Sequence, residues 1–462
     1  MTSRLANTID IMVPTGALGA GVRPRDVAAG LAAGAHAIAC DAGSTDSGPA
    51  YLATGRPKYS RAAVKSDLAV LMKAQAEAGI PLLIGSCGTS GCDMALDWMH
   101  DIAVEIAEDE GLSPRIALLY SEQPASVLQA KARDGLVKPL ALFDSVDPEI
   151  FAGCNHIVAL MGPEPYVAAL EAGADIILGG RTTDTAVLAA VPLWKGAGAG
   201  PAWHAGKTAE CGGLCTRRSR DGGVMIRVGT DAFEVEPLSP ENACDPYTVS
   251  AHMLYENSDP FEMLEPGGTL DVRDSRYEAM DERTVRVTGS KFEGAPYTMK
   301  LEGASGGAFQ TIMLVGIQAP NVLAELDRFL AQMDQHLHAR VSTAMGAAAG
   351  RYDISLRPYG WNAVTGLPVV DGTAPREVGL LFVATAETQE LATTIAKTCN
   401  PMFFHMPLDV DGELPSYAFP FSPAEIERGQ VYEFRLNHVV MVDDPLELVR
   451  IVHMPQLETV VA

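Results

Sequence analysis

Three stretches of the chain share one pattern: a helix end, a glycine stop, a short continuously apolar run, then a polar loop. Leu31 to Cys40 leads into Asp41-Ala-Gly-Ser-Thr-Asp46, and Ala76 to Ile84 into Gly85-Ser-Cys-Gly-Thr-Ser-Gly91. Leu170 to Leu178 leads into Gly179-Gly-Arg-Thr-Thr-Asp184. Glycine at a helix end supplies the left-handed cap. A short run without polar alternation suits a parallel strand covered on both faces. Similar runs near Ile9 to Val13, Arg115 to Tyr120 and His156 to Met161 predict further strands of the same sheet. Helices are predicted over about 25–33, 62–78, 95–110 and 165–171. This alternation predicts a doubly wound, mostly parallel α/β sheet over residues 1–195, with ligands at the carboxyl ends of its strands.

Beyond residue 195 the pattern changes. Trp194 to Gly206 is rich in Gly and Ala and reads as a connector. Residues 196–310 read as a β-rich section completing the N-terminal unit, with short alternating segments such as Val224 to Val228 and Arg283 to Thr288 and a helix near 246–256. From residue 311 the order is strand (311–318), helix (322–345), strand (352–358), strand (378–384), helix (387–398) and strand (432–440). That is the β-α-β-β-α-β order of a ferredoxin-like α+β domain over 311–440. Residues 441–462 read as a C-terminal tail.

Composition narrows the function classes. The chain has 462 residues, 47% of them apolar and 20% charged, as in a globular protein, and a net charge of −24. So acidic a chain is a poor partner for nucleic acid or an anionic membrane, since both need concentrated Lys and Arg. No apolar run reaches the length of a membrane span. The eight scattered cysteines form no disulfide framework and imply a reducing compartment, hence the cytoplasm.

The polar loops carry the candidate chemistry. Asp41 and Asp46 flank Ser44 and Thr45 directly after a strand, as suits a divalent metal held by oxygen ligands or a carboxylate base with hydroxyl donors; the bland alternative is an ordered turn. Arg181, Thr182, Thr183 and Asp184 precede a helix. Such a start attracts anions, and Arg adds a bidentate donor; the alternative is capping by Thr183 or Asp184. Cys87, beside Thr89 and close to a helix start, is a candidate nucleophile or a small buried residue. Glu210 in Glu210-Cys-Gly-Gly-Leu-Cys215 is an acid/base candidate, and zinc there lacks two further ligands at recognisable spacing. Gly16, Gly19 and Gly21 are spaced G-x-x-G-x-G, so they read as a turn rather than a dinucleotide loop. Pro201 to Thr208 ends in Gly-Lys-Thr but lacks the first glycine and the strand of a phosphate-binding loop.

In these loops the sequence resembles the acyclic-terpene-utilisation protein A (AtuA-like) family. The resemblance rests on Asp41 to Asp46 with Gly48-Pro49, Gly180-Arg181 with Asp184, and Ala209-Glu-Cys-Gly212. It continues through Val249 to Glu256 with Asp259-Pro260, Arg286 to Gly289 and Tyr297 to Lys300. Ala42-Gly-Ser-Thr stands where founding members carry Leu-Ala-Glu, which marks a divergent member. The resemblance implies a catabolic protein encoded beside acyl-CoA or organic-acid enzymes. Together with the loops it leads to an expected lyase or hydratase acting on a small carboxylic acid or its CoA thioester. Arg181 and Thr182/Thr183 would hold the anion, Asp41 or Asp46 would move a proton, and Glu210 would be a second acid/base. The alternatives are a non-catalytic subunit of a catabolic complex and a Cys87-dependent acyl hydrolase. No cofactor is certain beyond a possible divalent metal, and a homo-oligomer is expected.

Overall fold

The computed structural model describes residues 4–141, 145–257, 259–367, 369 and 374–455. The chain forms two compact units, one of residues 1–305 with 434–462 and one of residues 306–433.

The larger unit is built on a parallel ladder. Its strands are β1 (Ile9–Val13), β2 (Ala37–Asp41), β3 (Leu82–Gly85) and β4 (Ile116–Tyr120), with β5 (Val137–Pro139) and β6 (His156–Ala159) elsewhere, then β7 (Ile176–Gly179). The ladder runs β1-β2-β3-β7-β4, every pair parallel. β2, β3 and β7, which carry the three polar loops, are therefore adjacent. Their ends are also level: Asp41 lies beside Gly85, and Leu119 beside Gly179.

Helices cover both faces, which is why these strands lack polar alternation. One face buries Ile38, Cys40, Leu82, Ile84 and Leu178 against α1 (Pro24–Ala32), α3 (Arg61–Ala78) and α4 (Asp93–Glu110); the short α2 (Ala50–Thr54) lies between α1 and α3 in sequence. The other face buries Ala37, Ala39, Leu83 and Ile177 under α5 (Ala125–Arg133), α6 (Glu164–Glu171), α7 (Asp184–Trp194) and α8 (Ala199–Ala209). The β-rich section extends the ladder from the free edge of β1 through antiparallel β8 (Val224–Val228) and β9 (Ala232–Pro237). After α9 (Pro246–His252), β10 (Glu262–Glu265), β11 (Gly268–Asp271) and β14 (Lys291–Gly294) form a small sheet. β12 (Arg276–Ala279) and β13 (Val285–Thr288) continue the large one.

Three expectations are corrected. The segment 194–206 is no connector, because α8 occupies most of it and is buried from Gly200 onward. Its small residues serve close packing: a Cβ on Gly206 would sit 2.7 Å from the Thr185 carbonyl oxygen of α7. β6 does not join the parallel ladder but pairs antiparallel with Leu301 to Ala304 of β15 (Thr298–Ile317). The edge of β4 is instead paired with Arg450–His453, antiparallel to β4. Part of the expected tail is therefore a sheet strand that satisfies an otherwise open edge. Residues 456–462 lie outside the described residues.

In the smaller unit the later part of β15 is followed by α10 (Pro320–Ala324), α11 (Leu326–Met345), β16 (Tyr352–Tyr359), β17 (Val378–Ala386), α12 (Gln389–Cys399), the two-residue β18 (Tyr417–Ala418) and β19 (Ile426–Met441). The strand order β16-β17-β15-β19 is that of a ferredoxin-like layer, as its element order predicts. Both long helices pack on one face. Phe329, Met333 and Leu337 of α11 and Ile395 and Ala396 of α12 share a core with Met313, Leu380 and Phe382. The predicted single helix over 322–345 is interrupted at Glu325, whose φ of −127° and ψ of 41° are not helical. Among the described residues no helix is long and apolar enough to cross a membrane.

Candidate functional site

The three loops knit together at the carboxyl edge of the ladder. Ser86 N–H donates to Gly180 O at 3.0 Å, Arg181 N–H to Gly91 O at 3.1 Å, and Ala42 N–H to Gly85 O at 2.8 Å. The loop after β3 holds Ser86 at φ 46° and Thr89 at φ 82°. Left-handed backbone is costly for a non-glycine residue, above all a β-branched one, and persists where the surroundings over-determine it.

Over this edge lies a cavity of about 380 Å³, lined by Asp41, Ser44, Asp46, Thr89, Asp184 and Glu210 from the predicted loops. Lys58, Tyr59, Cys211, Tyr255 and Glu256 also line it. Five carboxyl groups thus meet around one small space.

Asp41 is the most deeply set of them. It is 2% exposed, and its Oδ2 accepts the Gly43 N–H at 2.8 Å, while Oδ1 is buried without a well-formed hydrogen bond. Burial, reinforced by the charge of Asp184, raises its pKa well above the ordinary range. Arg181, Ser86 and the Gly43 N–H oppose the rise without cancelling it. Glu210 ends α8, ion-paired to Lys207 and accepting Thr185 Oγ1 at 3.2 Å. Burial raises it too, with Asp184 and Glu265 adding to the effect against Lys207. Ser44 and Asp46 hydrogen-bond to each other at the rim, where Asp46 is exposed.

The remaining predicted site residues point elsewhere. Arg181 is buried beneath the cavity, and its fork is already spent. Its Nε meets Glu302 Oε2 at 3.0 Å, and one terminal nitrogen meets Ser86 Oγ at 3.0 Å, Asp184 Oδ1 at 3.1 Å and Thr182 O at 3.2 Å. The expectation that Arg181 supplies the main positive charge for an anion is therefore corrected: internal carboxylates already neutralise it. Thr45 also turns inward, to Glu302 Oε2 at 3.0 Å. Thr182 is fully buried against the Tyr166 hydroxyl at 2.8 Å, and Thr183 caps α7 by accepting the Ala186 N–H. Cys87 is fully buried, and burial pushes its thiol well up, so the geometry does not favour it as a nucleophile.

The glycine loop Gly16 to Gly21 is closed to phosphate. The N–H groups of Gly19, Gly21 and Val22 all donate to the Asp67 carboxylate at 2.9 Å. Between this loop and residues 211–222 lies a second cavity of about 570 Å³, which shares Gly16, Ala17 and Cys211 with the acidic one. Of the lining residues that the sequence reading missed, Tyr255 and Glu256 lie in the stretch quoted for the family resemblance. Cys211 follows Glu210, and Lys58 and Tyr59 carry no sequence signal.

The profile of the acyclic terpene utilisation family protein AtuA matches residues 45–418. The chain belongs to this family. The match spans most of the chain, including the loop around Asp184, the Glu210 region and the ferredoxin-like layer up to β18. Searches of curated proteins and of solved structures find no match. Membership of this family connects the chain with catabolism, the role its description names.

Proposed function

We propose that this chain is a catabolic proton-transfer enzyme of the lyase or hydratase type, acting on a small unsaturated acyl substrate. The observation that carries the reading is Asp41: a buried carboxyl group of raised pKa, lining a cavity with other carboxyl groups around it. A carboxyl group whose pKa is raised by burial can donate a proton, and its conjugate base can take one back. Removal of a proton next to a carbonyl, or addition of water across a double bond, needs such an acid–base pair.

The cavity's charge supports the thioester over the free acid as the substrate form. A free carboxylate would meet five carboxyl groups, with only Lys58 among the lining residues to offset them. A CoA thioester is uncharged at its reacting carbonyl and suits this environment better. An acyclic terpene skeleton, the substrate class named by the family's description, would enter as the branched acyl part.

The test is to incubate the protein with branched unsaturated acyl-CoA thioesters and with their free acids in D₂O. Mass spectrometry then follows deuterium uptake and hydration. Exchange with the thioesters, lost in Asp41→Asn, is expected. Absence of exchange with every compound, or exchange unaffected by Asp41→Asn, overturns the reading.

A further inference from the structure

We infer that Glu210, Cys211 and His252 form a binding site for a zinc-like divalent metal ion, open to the acidic cavity. A carboxylate oxygen of Glu210, Cys211 Sγ and an imidazole nitrogen of His252 all lie within 4.8 Å of one another. Ligands around a tetrahedral zinc ion sit about 3.3–3.8 Å apart, given bonds of about 2.0–2.3 Å. The three atoms are thus assembled to within about an ångström of a coordinating arrangement.

The histidine supplies the second, independent observation. His252 ends α9 and is only 5% exposed, and its Nε2 is buried with no hydrogen-bond partner among the described residues. A buried polar atom without a partner costs stability unless something fills its lone pair. His252 also hydrogen-bonds to the Lys207 backbone. With Nε2 unpartnered, that bond belongs to Nδ1, which donates its proton to the Lys207 carbonyl. The neutral ring then presents the Nε2 lone pair, the orientation that a backbone carbonyl commonly gives a metal-binding histidine.

The ligand types point to the class of ion. Thiolate, imidazole and carboxylate together suit zinc or a similar borderline ion rather than magnesium or calcium, which prefer oxygen alone. Three protein ligands with a fourth position open is the pattern of a catalytic rather than a structural zinc site. The open side faces the cavity, because Glu210 and Cys211 both line it. Lys207 beside Glu210 opposes a cation, and Asp184 and Glu256 offset it. A second such cluster among the described residues, Cys92, Glu122 and His156, differs at its histidine: His156 Nδ1 is already bonded to Glu122 at 2.6 Å, and no ring nitrogen of His156 is buried and unpartnered as His252 Nε2 is.

The inference deepens the lyase reading, since an ion here would polarise a substrate carbonyl. Its test nevertheless needs no substrate. The purified, metal-stripped protein is titrated with Co²⁺ and followed by absorption. One equivalent should bind, giving a near-ultraviolet thiolate-to-cobalt band and the intense visible bands of tetrahedral cobalt. Cys211→Ser should abolish the thiolate band. His252→Gln, which keeps a polar side chain should the thiol variant fold poorly, should weaken binding by about tenfold or more. Cys154→Ser, at a cysteine outside the cluster, should change nothing. Failure to bind one equivalent, a thiolate band that survives Cys211→Ser, or affinity unchanged in His252→Gln overturns the site. Cobalt binding without turnover of any acyl substrate would leave the metal site standing and refute the lyase reading alone. Turnover by a protein that binds no cobalt would do the reverse.

Discussion

Two polar clusters sit at the same edge of the parallel ladder and are built on opposite principles. Around Arg181, charge and hydrogen bonding are matched. Glu302 and Asp184 face the guanidinium, Ser86 and Thr182 take its remaining donors, and Thr45 donates to Glu302. Arg181 holds Glu302 down to about 2 against the burial that would raise it. In the cavity above, carboxyl groups face one another. Asp41 is raised by burial and by Asp184, and part of it lacks a well-formed bond. The first cluster fixes the positions of three loops; the second is left electrostatically unsatisfied. Sites with perturbed carboxyl groups in a cleft are where chemistry is sought, and the contrast divides these residues into those that hold the loops and those that face a ligand.

The largest effect should come from breaking the matched cluster. Arg181→Met leaves Glu302 buried with only the half-exposed Lys300, 3.4 Å away, to face it and should cost about 3–5 kcal/mol of stability, read from urea unfolding. Adding Glu302→Leu removes the orphaned charge and should recover much of that loss. A stable Arg181→Met protein with impaired substrate binding would instead return Arg181 to the role of anion ligand.

Asp41→Asn tests the other side. The amide fills the same space but cannot exchange a proton as a carboxyl group does. Turnover should fall by about 10²–10⁴-fold, the usual contribution of a general acid or base. Stability should stay within about 1 kcal/mol or rise, since an unsatisfied acid is removed. Large destabilisation with residual activity would make Asp41 another structural residue.

How far the sequence anticipates this contrast depends on the distance over which each interaction acts. The strands β2, β3 and β7 are legible because each is a continuous apolar run after a glycine stop, and the loops at their ends carry the carboxylates. The ferredoxin-like layer is legible from element order alone. The partner of β6 is not, because a short apolar run says where a strand is and nothing about its neighbour. α8 is hidden because the glycines that let it pack closely on α7 look like those of a linker. The direction of Arg181 is set by Glu302, 121 positions away. His252 reaches Glu210 and Cys211 only through the folding of α9 over the end of α8. A spacing rule sees neither.

The two clusters should also tilt the pH dependence of stability in opposite directions. Glu302 has a depressed pKa in the folded state, so its contribution is complete above its ordinary value of 4.5 and is lost as pH falls through about 2. Asp41 is raised, and Glu265 is pushed up to about 7 by burial. Their contribution is complete below the ordinary carboxylate range and is lost as pH rises through their folded values. Stability should therefore climb from pH 2 to about 4.5 and decline from there toward neutrality, with a limiting slope of about 1.4 kcal/mol per pH unit for each proton. Urea midpoints across this range check it. Asp41→Asn should flatten only the descending limb, and a variant that flattens the ascending one would mean the two clusters are not independent.

The smallest expected effect concerns Thr183, which lies on the border between the clusters and could belong to either. Its hydroxyl oxygen accepts the Ala186 N–H at 3.3 Å, a first-turn donor of α7 that it shares with the Thr183 carbonyl at 2.9 Å, and the hydroxyl also hydrogen-bonds the Glu265 carboxylate. Thr183 does not line the acidic cavity. As a cap it belongs with the residues that hold the loops. Thr183→Ala should then lower stability by about 1 kcal/mol, the usual worth of an N-cap, while the KM of any acyl substrate stays unchanged. Thr183→Ser keeps the accepting oxygen and should recover most of the loss. Loss of the Glu265 hydrogen bond should also carry that carboxyl group further up, because Thr183 now helps hold it down. If the hydroxyl instead binds substrate, the alanine variant will show a raised KM at unchanged stability, and Thr183 moves to the ligand-facing group.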